Sequence, residues 1–375
     1  MRLSPGQVKH FQTFGYLVLR GWLPPEVMHT VAAEAQRALV RSYGDQPVDE
    51  GREQATLTMG NDTPMLAAAL EQLPFLTPAR QLYGDDALGI ATYATSHVGN
   101  TGWHVDSPHA FPRGVKLSIY LDPTSAEKGA LRVLPGSHRE ELHQATRAWL
   151  RDPARDCDDW QVPAVACPSE PGDVVVFDLR LFHAALGGHN DRRVVNLFYY
   201  ENPSAPDDVR RTREQIAEDF EWLADKNRAD ARVFSEDWLA NSPGSETRAG
   251  WIRRFDEMGF FDGDPERSGR SAARTLGAGM ESQIEALLDP GWTLLRTTAK
   301  RELARIVASC PAGEVTVLVR PADDPHPRYK VIDGLAYCYS TLDCRELRDE
   351  RLVEFERLVD RVHARLSQGL EQAMT

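Results

Sequence analysis

Residues 88–202 constrain the fold most, because they consist of short apolar runs separated by Gly and Pro turns. Residues 115–121 alternate apolar and polar side chains with the period of two that is typical of a strand. Further apolar runs occupy 129–134, 173–178 and 193–200. Many short strands with this punctuation predict a β-sandwich, barrel or jelly roll.

Helical signals precede this region. Ser4 and Gln7 have the spacing of a capping box, and Pro5 occupies the first helical position. This helix is predicted to end near Gly15, before a short buried strand at 16–19. A second helix is predicted after residue 25, with an apolar face at helical spacing formed by Met28, Val31, Ala35 and Leu39.

The last 170 residues have a different pattern of apolar and polar residues. Residues 207–225 and 246–258 show helical spacing, and 262–279 are rich in Gly, Ser and Arg, which is typical of a linker. Strands are predicted at 314–319 and 329–332, followed by a long helix from about residue 345. Its apolar stripe serves either core packing or a homodimer seam and comprises Leu352, Phe355, Val359, Val362 and Leu366. The expected division of the chain is 1–205, 206–262, 263–279 and 280–375.

Charge and composition exclude several classes of protein. With 43 Lys and Arg against 56 Asp and Glu, the formal charge of −13 disfavours binding to nucleic acid or an anionic membrane. No apolar run approaches the ~18 residues of a spanning helix, and the N-terminus lacks the apolar core of a signal peptide, so a soluble cytoplasmic protein is expected. The five cysteines are dispersed, which argues against a disulfide framework or a structural zinc site.

The candidate chemistry begins with His104 and Asp106, whose i, i+2 spacing puts both side chains on one face of a strand. Taken alone, this pair is more often hydrogen-bonded than metal-bound. His183 follows an apolar run, and Arg193 opens the next predicted strand. Two histidines and one carboxylate on a β scaffold are the facial triad of non-haem Fe(II) oxygenases. An arginine beside them suits a dicarboxylate, because its planar fork binds a carboxylate bidentately.

The chain resembles the phytanoyl-CoA dioxygenase family of Fe(II)- and 2-oxoglutarate-dependent oxygenases. Ordered matches over about 200 residues carry the resemblance: residues 3–8 and 14–21, His104 to Asp106, residues 119–122, 128–138 and 171–177, then His183 and Arg193. No motif covers residues 205–375. The resemblance implies a double-stranded β-helix (a cupin-like jelly roll) with flanking helices, an α+β fold that here has a helical and small α/β C-terminal extension.

Transferred by position, the resemblance implies that His104, Asp106 and His183 bind Fe(II) and that Arg193 holds the distal carboxylate of 2-oxoglutarate. His189 is the alternative third ligand, but it lies only four residues before Arg193, too close for the family's arrangement. Arg192 is the alternative arginine. The family's usual spacing of ten or eleven residues after the histidine favours Arg193.

Other polar residues have weaker assignments. His138 lies in a turn that is a scaffold element of the family, and His109 lies on the loop at the mouth of the expected site. Lys116 and Ser118 share a strand face and are candidates for lining the 2-oxoglutarate pocket, whereas Trp103 is more consistent with packing than with substrate stacking.

The implied reaction consumes O2 and 2-oxoglutarate and oxidises a C–H bond of a small molecule. Because Asp106 is present where halogenating relatives have a small residue, hydroxylation, ring formation or desaturation is favoured over halogenation. A composition high in Ala, Arg, Asp and Gly and low in Lys is typical of GC-rich bacteria, which suggests a tailoring step in antibiotic or other secondary metabolism, with a free or carrier-bound substrate. The alternatives are a cupin-like metal enzyme without 2-oxoglutarate and a catalytically silent binding protein.

Overall fold

The computed structural model describes residues 1–44, 48, 53–107, 110–152, 154–188, 192–226, 234–241, 244–260, 293–300, 303–310, 313–321, 330–332, 335–339 and 359–360. The chain divides into two compact units, Met1–Ser271 and Ala272–Thr375. Among the described helices none combines the length and apolar character needed to cross a bilayer.

The first unit contains both helices and strands. Its helices are α1 (Pro5–Phe14), α2 (Pro25–Tyr43), α3 (Pro64–Ala67), α4 (Leu73–Tyr83), α5 (Glu140–Arg151), α6 (Pro206–Lys226), α7 (Glu236–Ala240) and α8 (Glu246–Glu257). Its strands are β1 (Tyr16–Leu19), β2 (Glu53–Leu57), β3 (Leu88–His97), β4 (Thr101–His104), β5 (Gly114–Tyr120), β6 (Leu131–Val133), β7 (Val165–Cys167), β8 (Val174–Asp178), β9 (His183–Ala185) and β10 (Arg192–Tyr200).

These strands form two antiparallel sheets. The larger sheet has the order β1-β8-β5-β10-β3-β2 and the smaller one β4-β9-β6-β7. From β3 to β10 the chain passes repeatedly between the two sheets, and an apolar cluster joins β5, β8 and β10 of the large sheet to β6 and β7 of the small one. This topology is the double-stranded β-helix, and the α+β jelly-roll prediction is confirmed.

The large sheet is buried on both faces. Its outer face packs against α1, α2, α4 and the later helices through a large apolar cluster that includes Val115, Leu117 and Ile119 of β5. Its inner face meets the small sheet through a second cluster that includes Tyr120, Phe177 and Val194. In β5, side chains alternate between these faces, so Lys116, Ser118 and Tyr120 point into the barrel.

The N-terminal predictions are confirmed. Ser4 and Gln7 form the capping box of α1, and Gly15 ends the helix with a left-handed φ of 83°. The strand at 16–19 is β1, which pairs with β8 at the edge of the large sheet. Helices α1 and α2 therefore cover the outer face of that sheet.

Helices also follow the barrel, where the sequence predicts them. Arg248 of α8 forms a buried ion pair with Glu71, 2.5 Å between Nε and Oε1. Trp251 of α8 donates a hydrogen bond to the carbonyl of Ala87. These contacts attach α8 to the barrel as part of the first unit.

The described part of the second unit is an antiparallel sheet of β11 (Thr293–Lys300), β12 (Leu303–Cys310), β13 (Gly313–Pro321), β14 (Lys330–Ile332) and β15 (Leu335–Tyr339), in the order β11-β12-β13-β15-β14. It contains the two predicted strands and three that the sequence analysis did not identify. The predicted linker at 262–279 and nearly all of the predicted C-terminal helix, with its homodimer seam, lie outside the described residues.

Candidate metal centre and co-substrate pocket

Three predicted ligands meet at one end of the barrel. His104 ends β4, Asp106 lies just beyond it, and His183 begins β9. The pairing of β4 with β9 sets His104 opposite His183, and their ring centroids are 4.2 Å apart. One ligand atom from each of the three residues lies within 4.8 Å of the others. Two imidazoles and a carboxylate at this spacing can share one metal ion and leave its remaining positions open.

Backbone carbonyls orient both imidazole rings. Nδ1 of His104 lies 2.8 Å from the carbonyl oxygen of Gly102, and Nδ1 of His183 lies 2.9 Å from that of Leu181. Because a carbonyl only accepts, each Nδ1 carries a proton, and Nε2 is the nitrogen that each ring can offer to a metal ion. This anchoring is typical of metal-binding histidines. The donor set therefore fits Fe(II).

The shifted pKa values of His183 and Asp106 favour the protonation states that bind a metal ion. Burial, reinforced by His104, lowers the pKa of His183 to about 3, so this ring is neutral near pH 7. Burial by itself raises the pKa of Asp106, but Lys116 and the two histidines outweigh it, and the net pKa lies below its ordinary value. Asp106 is therefore an anion beside the neutral imidazole of His183.

Lys116 reaches this cluster from β5. Its Nζ lies 3.3 Å from Oδ2 and 3.4 Å from Oδ1 of Asp106. Both side chains are largely buried, at 12% and 16% exposure. The sequence places Lys116 on the pocket face, and the structure shows that it contacts the carboxylate of a candidate metal ligand.

The two arginines at the start of β10 lie on opposite faces of the large sheet. Arg193 points outward, where its guanidinium binds Asp122 at 2.8 and 3.1 Å and Gln36 at 3.1 Å. Arg192 shares the inner face with Val194 and is 8% exposed. The predicted pocket residue Arg193 is thus not brought to the triad. Strand alternation puts Arg192 inside the barrel instead.

Arg192 lies in a tight, water-poor recess. Nη1 of Arg192 is buried and has no hydrogen-bond partner among the described residues. A Cβ added at Gly129 or Gly188 would collide with this nitrogen, so both glycines make room for the guanidinium. Tyr120, opposite Val194, interacts electrostatically with it, and burial lowers the pKa of Arg192, although a guanidinium stays charged. A buried cation with an unused N–H suits an incoming carboxylate.

The inner face joins the two charged positions. Lys116 lies opposite Phe198 of β10, and Arg192 starts that strand, so the two cations lie toward opposite ends of one face. Between them Ser118 donates a 2.7 Å hydrogen bond to Asn196, its cross-strand partner. This polar lining confirms that Lys116 and Ser118 share a face.

Helix α6 contacts the loop that carries Asp106. Ser107 is fully buried, and its hydroxyl donates to Oε1 of Gln215 at 3.2 Å. The backbone N–H of Ser107 donates to the carbonyl of Leu179 at 2.8 Å. A helix beyond the recognised motifs therefore helps to position a candidate ligand, which the sequence analysis did not foresee.

The remaining candidates lie apart from the triad or outside the described residues. His138 packs against Gly15 at the end of α1, in keeping with a scaffold role. Trp103 is buried in an apolar cluster and donates to the carbonyl of Asp159 at 3.2 Å, in keeping with packing. His109 and His189 lie outside the described residues.

The comparison with protein families agrees with the motif analysis. The phytanoyl-CoA dioxygenase (PhyH) family model matches residues 11–194, which include the whole triad and Arg192. Residues 11–194 therefore match the phytanoyl-CoA dioxygenase family.

Individual relatives are distant from this chain in sequence. An ectoine dioxygenase from Bordetella bronchiseptica is 24% identical over 160 residues, which are 37% of this chain and 50% of the relative. The matched region thus spans about half the length of this curated relative.

Two solved structures have comparable similarity. EctD from S. alaskensis, with 2-oxoglutarate and 5-hydroxyectoine, is 20% identical with a TM-score of 0.43, covering 53% of this chain and 77% of that one. HygX from Streptomyces hygroscopicus, with nickel and 2-oxoglutarate, is 19% identical with a TM-score of 0.42, covering 53% and 88%.

Proposed function

We propose that the first unit is an Fe(II)- and 2-oxoglutarate-dependent oxygenase that oxidises a C–H bond of a small molecule. The observation that carries this proposal is the convergence of His104, Asp106 and His183, with both Nδ1 atoms engaged by backbone carbonyls. The metal, when bound with 2-oxoglutarate, supplies O2 activation coupled to the decarboxylation of 2-oxoglutarate to succinate and CO2.

The protein contributes binding and orientation. His104, Asp106 and His183 hold the metal on one side, and Ser107 with Gln215 fixes the loop that carries Asp106. We assign the distal carboxylate of 2-oxoglutarate to Arg192, because this guanidinium is buried inside the barrel with an N–H that has no partner among the described residues. The apolar clusters around the pocket exclude water, which strengthens each charged contact.

Hydroxylation is the preferred outcome, with ring formation or desaturation as related oxidations. Asp106 is a carboxylate, and it completes a three-residue ligand set. In halogenating members of the family a small residue at this position leaves room for chloride. The carboxylate therefore supports an oxidation in which no halide is bound.

The substrate is proposed to be a small secondary metabolite. The ectoine dioxygenase relative acts, by its name, on a small molecule, and the net charge of −13 disfavours polyanionic macromolecules. The low Lys content of the chain supports an origin in GC-rich bacteria, where tailoring oxidations are common.

Succinate formation tests the proposal even while the substrate is unidentified. Purified protein with Fe(II), O2 and 2-oxoglutarate should release succinate slowly, and Asp106→Ala and His104→Ala should abolish the release. His29→Ala, on the exposed face of α2, is the matched control and should retain it. Mass spectrometry of a substrate screen then separates hydroxylation, which adds one oxygen atom, from desaturation or ring formation, which removes two hydrogens. No succinate from iron-loaded protein with any substrate would contradict the proposal.

A further inference from the structure

Lys116 is a buried charge that the proposed reaction does not use. Its ammonium approaches both oxygens of Asp106 at 3.3 and 3.4 Å, which is longer than the 2.7–2.9 Å typical of a charge-assisted hydrogen bond. The contact is therefore chiefly an electrostatic one. The Lys116 ammonium partly neutralises the Asp106 carboxylate and so reduces the attraction of this carboxylate for a metal cation.

The surroundings of Lys116 strengthen this effect. The rings of Tyr93, Phe177 and Phe198 lie 5.7, 5.7 and 5.1 Å from its Nζ. Tyr93 also shares a side-chain hydrogen bond with it. Glu53 interacts with it electrostatically, but this residue is half-exposed and its charge is screened by solvent. Opposite charges in such an apolar enclosure interact much more strongly than at the surface.

The net charge at the triad end of the barrel depends on Lys116 as well as on the triad. An imidazole that binds a metal ion does so as a neutral ligand, so among the triad residues and Lys116 the formal charges are −1 on Asp106 and +1 on Lys116. A ligand set that would otherwise be an anion is therefore neutral overall. Compared with the same ligand set without Lys116, this site attracts a divalent cation less strongly and a carboxylate ligand more strongly.

We propose that Lys116 positions the Asp106 carboxylate and balances its charge. Lys116 thereby weakens binding of the divalent metal and strengthens binding of carboxylate ligands in the pocket. This inference rests on the proposed function, because it takes the triad as a metal site. It adds a preference for anionic ligands, set by a residue outside the triad and on the opposite sheet.

Loss of the ammonium should shift the two affinities in opposite directions. We expect Lys116→Met to bind Co(II) about tenfold to a hundredfold more tightly than the wild-type protein when no 2-oxoglutarate is present. In Co(II)-loaded protein the same variant should bind 2-oxoglutarate about tenfold more weakly. Packing loss alone would weaken both affinities, so the opposite signs identify a charge effect.

The experiment is a calorimetric titration of Co(II) and then of 2-oxoglutarate into the full chain. Lys116→Arg should behave like the wild-type protein because it keeps the charge, and Lys128→Met, which removes an exposed lysine, is the control for net charge. Lys116→Gln repeats the test if Lys116→Met does not fold.

Each result has a defined meaning. Equal or weaker Co(II) binding by both neutral variants, with circular dichroism showing them folded, would overturn the inference while leaving the oxygenase proposal intact. Tighter Co(II) binding with unchanged 2-oxoglutarate binding would overturn its anion-binding half. If the wild-type protein binds no Co(II), the metal centre itself is wrong and both proposals fail.

Discussion

Arg192 and Arg193 are consecutive in the chain, yet their side chains lie on opposite faces of the large sheet. Arg193 forms a bidentate pair with Asp122 on the helix-covered face, and Arg192 is buried inside the barrel. Substitution of one arginine is therefore the control for substitution of the other.

Arg192→Met should weaken 2-oxoglutarate binding to the metal-loaded protein by about 30-fold or more, because truncating a buried charge partner costs about 2–5 kcal/mol. Arg193→Met should change this affinity less than about threefold, because its half-exposed pair with Asp122 lies outside the barrel and contributes only ~1 kcal/mol or less to stability. Isothermal titration of 2-oxoglutarate into Ni(II)-loaded protein measures both. A larger loss for Arg193→Met would return the role to that residue.

Arg248→Met should destabilise the first unit by about 3–5 kcal/mol, because it leaves the buried Glu71 carboxylate without its partner. Arg210→Met removes an exposed ion pair with Glu214 on α6 and should cost less than about 1 kcal/mol. Urea unfolding followed by circular dichroism measures the difference. Adding Glu71→Gln to Arg248→Met should recover part of the loss, and strictly additive effects would show that the pair is not coupled.

His143 should make the metal-free protein less stable in acid. Burial and the nearby Arg180 lower the pKa of His143 to about 4, against an ordinary value of 6.5. Between these values the unfolded chain binds a proton that the folded chain does not, so the stability present above pH 6.5 is lost as the pH falls. His143→Gln should reduce this slope by up to about 1.4 kcal/mol per pH unit.

Denaturant unfolding at about pH 7.5, 5.5 and 4.5 checks this effect on the wild-type and His143→Gln proteins. The control is His29→Gln, which changes an exposed histidine. Parallel stability curves for the wild-type and His143→Gln proteins would show that this buried ring does not link folding to protonation.

Metal binding should stabilise the first unit. At a free Ni(II) concentration of about 100 times the dissociation constant, binding to the folded state alone adds roughly 2.7 kcal/mol. This corresponds to a rise in melting temperature of about 5–10 °C for a unit of this size. Differential scanning fluorimetry with Ni(II) and with EDTA should show the rise, and Asp106→Ala should remove it. An equal rise in Asp106→Ala would place the bound metal elsewhere.

The convergence of the three candidate ligands was predictable because their spacing reflects strand geometry. His104 and Asp106 are two residues apart at a strand end, and His183 follows an apolar strand that ends at Asp178. The helices at the N-terminus were predictable for a similar reason, since the Ser4–Gln7 capping box and Gly15 are local signals. Such features do not depend on distant contacts.

The choice of arginine depended on contacts that local pattern does not contain. A strand with one solvent-exposed face alternates apolar and polar residues. In contrast, β10 is covered by helices on the outer face of the large sheet and by the small sheet on its inner face. Val194 and Val195 are both buried, so the sequence does not reveal which face either arginine shares. Spacing from His183 favoured Arg193, and the register of β10 with β5 places Arg192 inside.

The contacts of Lys116 and α6 were likewise non-local. Alternation in β5 groups Lys116 with Ser118, but the same pattern is typical of a solvent-facing strand. The contact with Asp106 joins β5 of the large sheet to a residue that follows β4 of the small sheet, so it depends on how the two sheets pack. Gln215 reaches Ser107 from 108 residues away. No motif in α6 marks that hydrogen bond.

Anaerobic ultraviolet–visible titration shows whether one pocket holds both Fe(II) and 2-oxoglutarate. A metal-to-ligand charge-transfer band should appear only when both are added to the wild-type protein. The band should be absent in His104→Ala, need much more 2-oxoglutarate in Arg192→Met, and be retained in Arg193→Met. Absence of the band in wild-type protein that demonstrably binds iron would rule out joint binding of Fe(II) and 2-oxoglutarate and favour a metal enzyme that does not use 2-oxoglutarate.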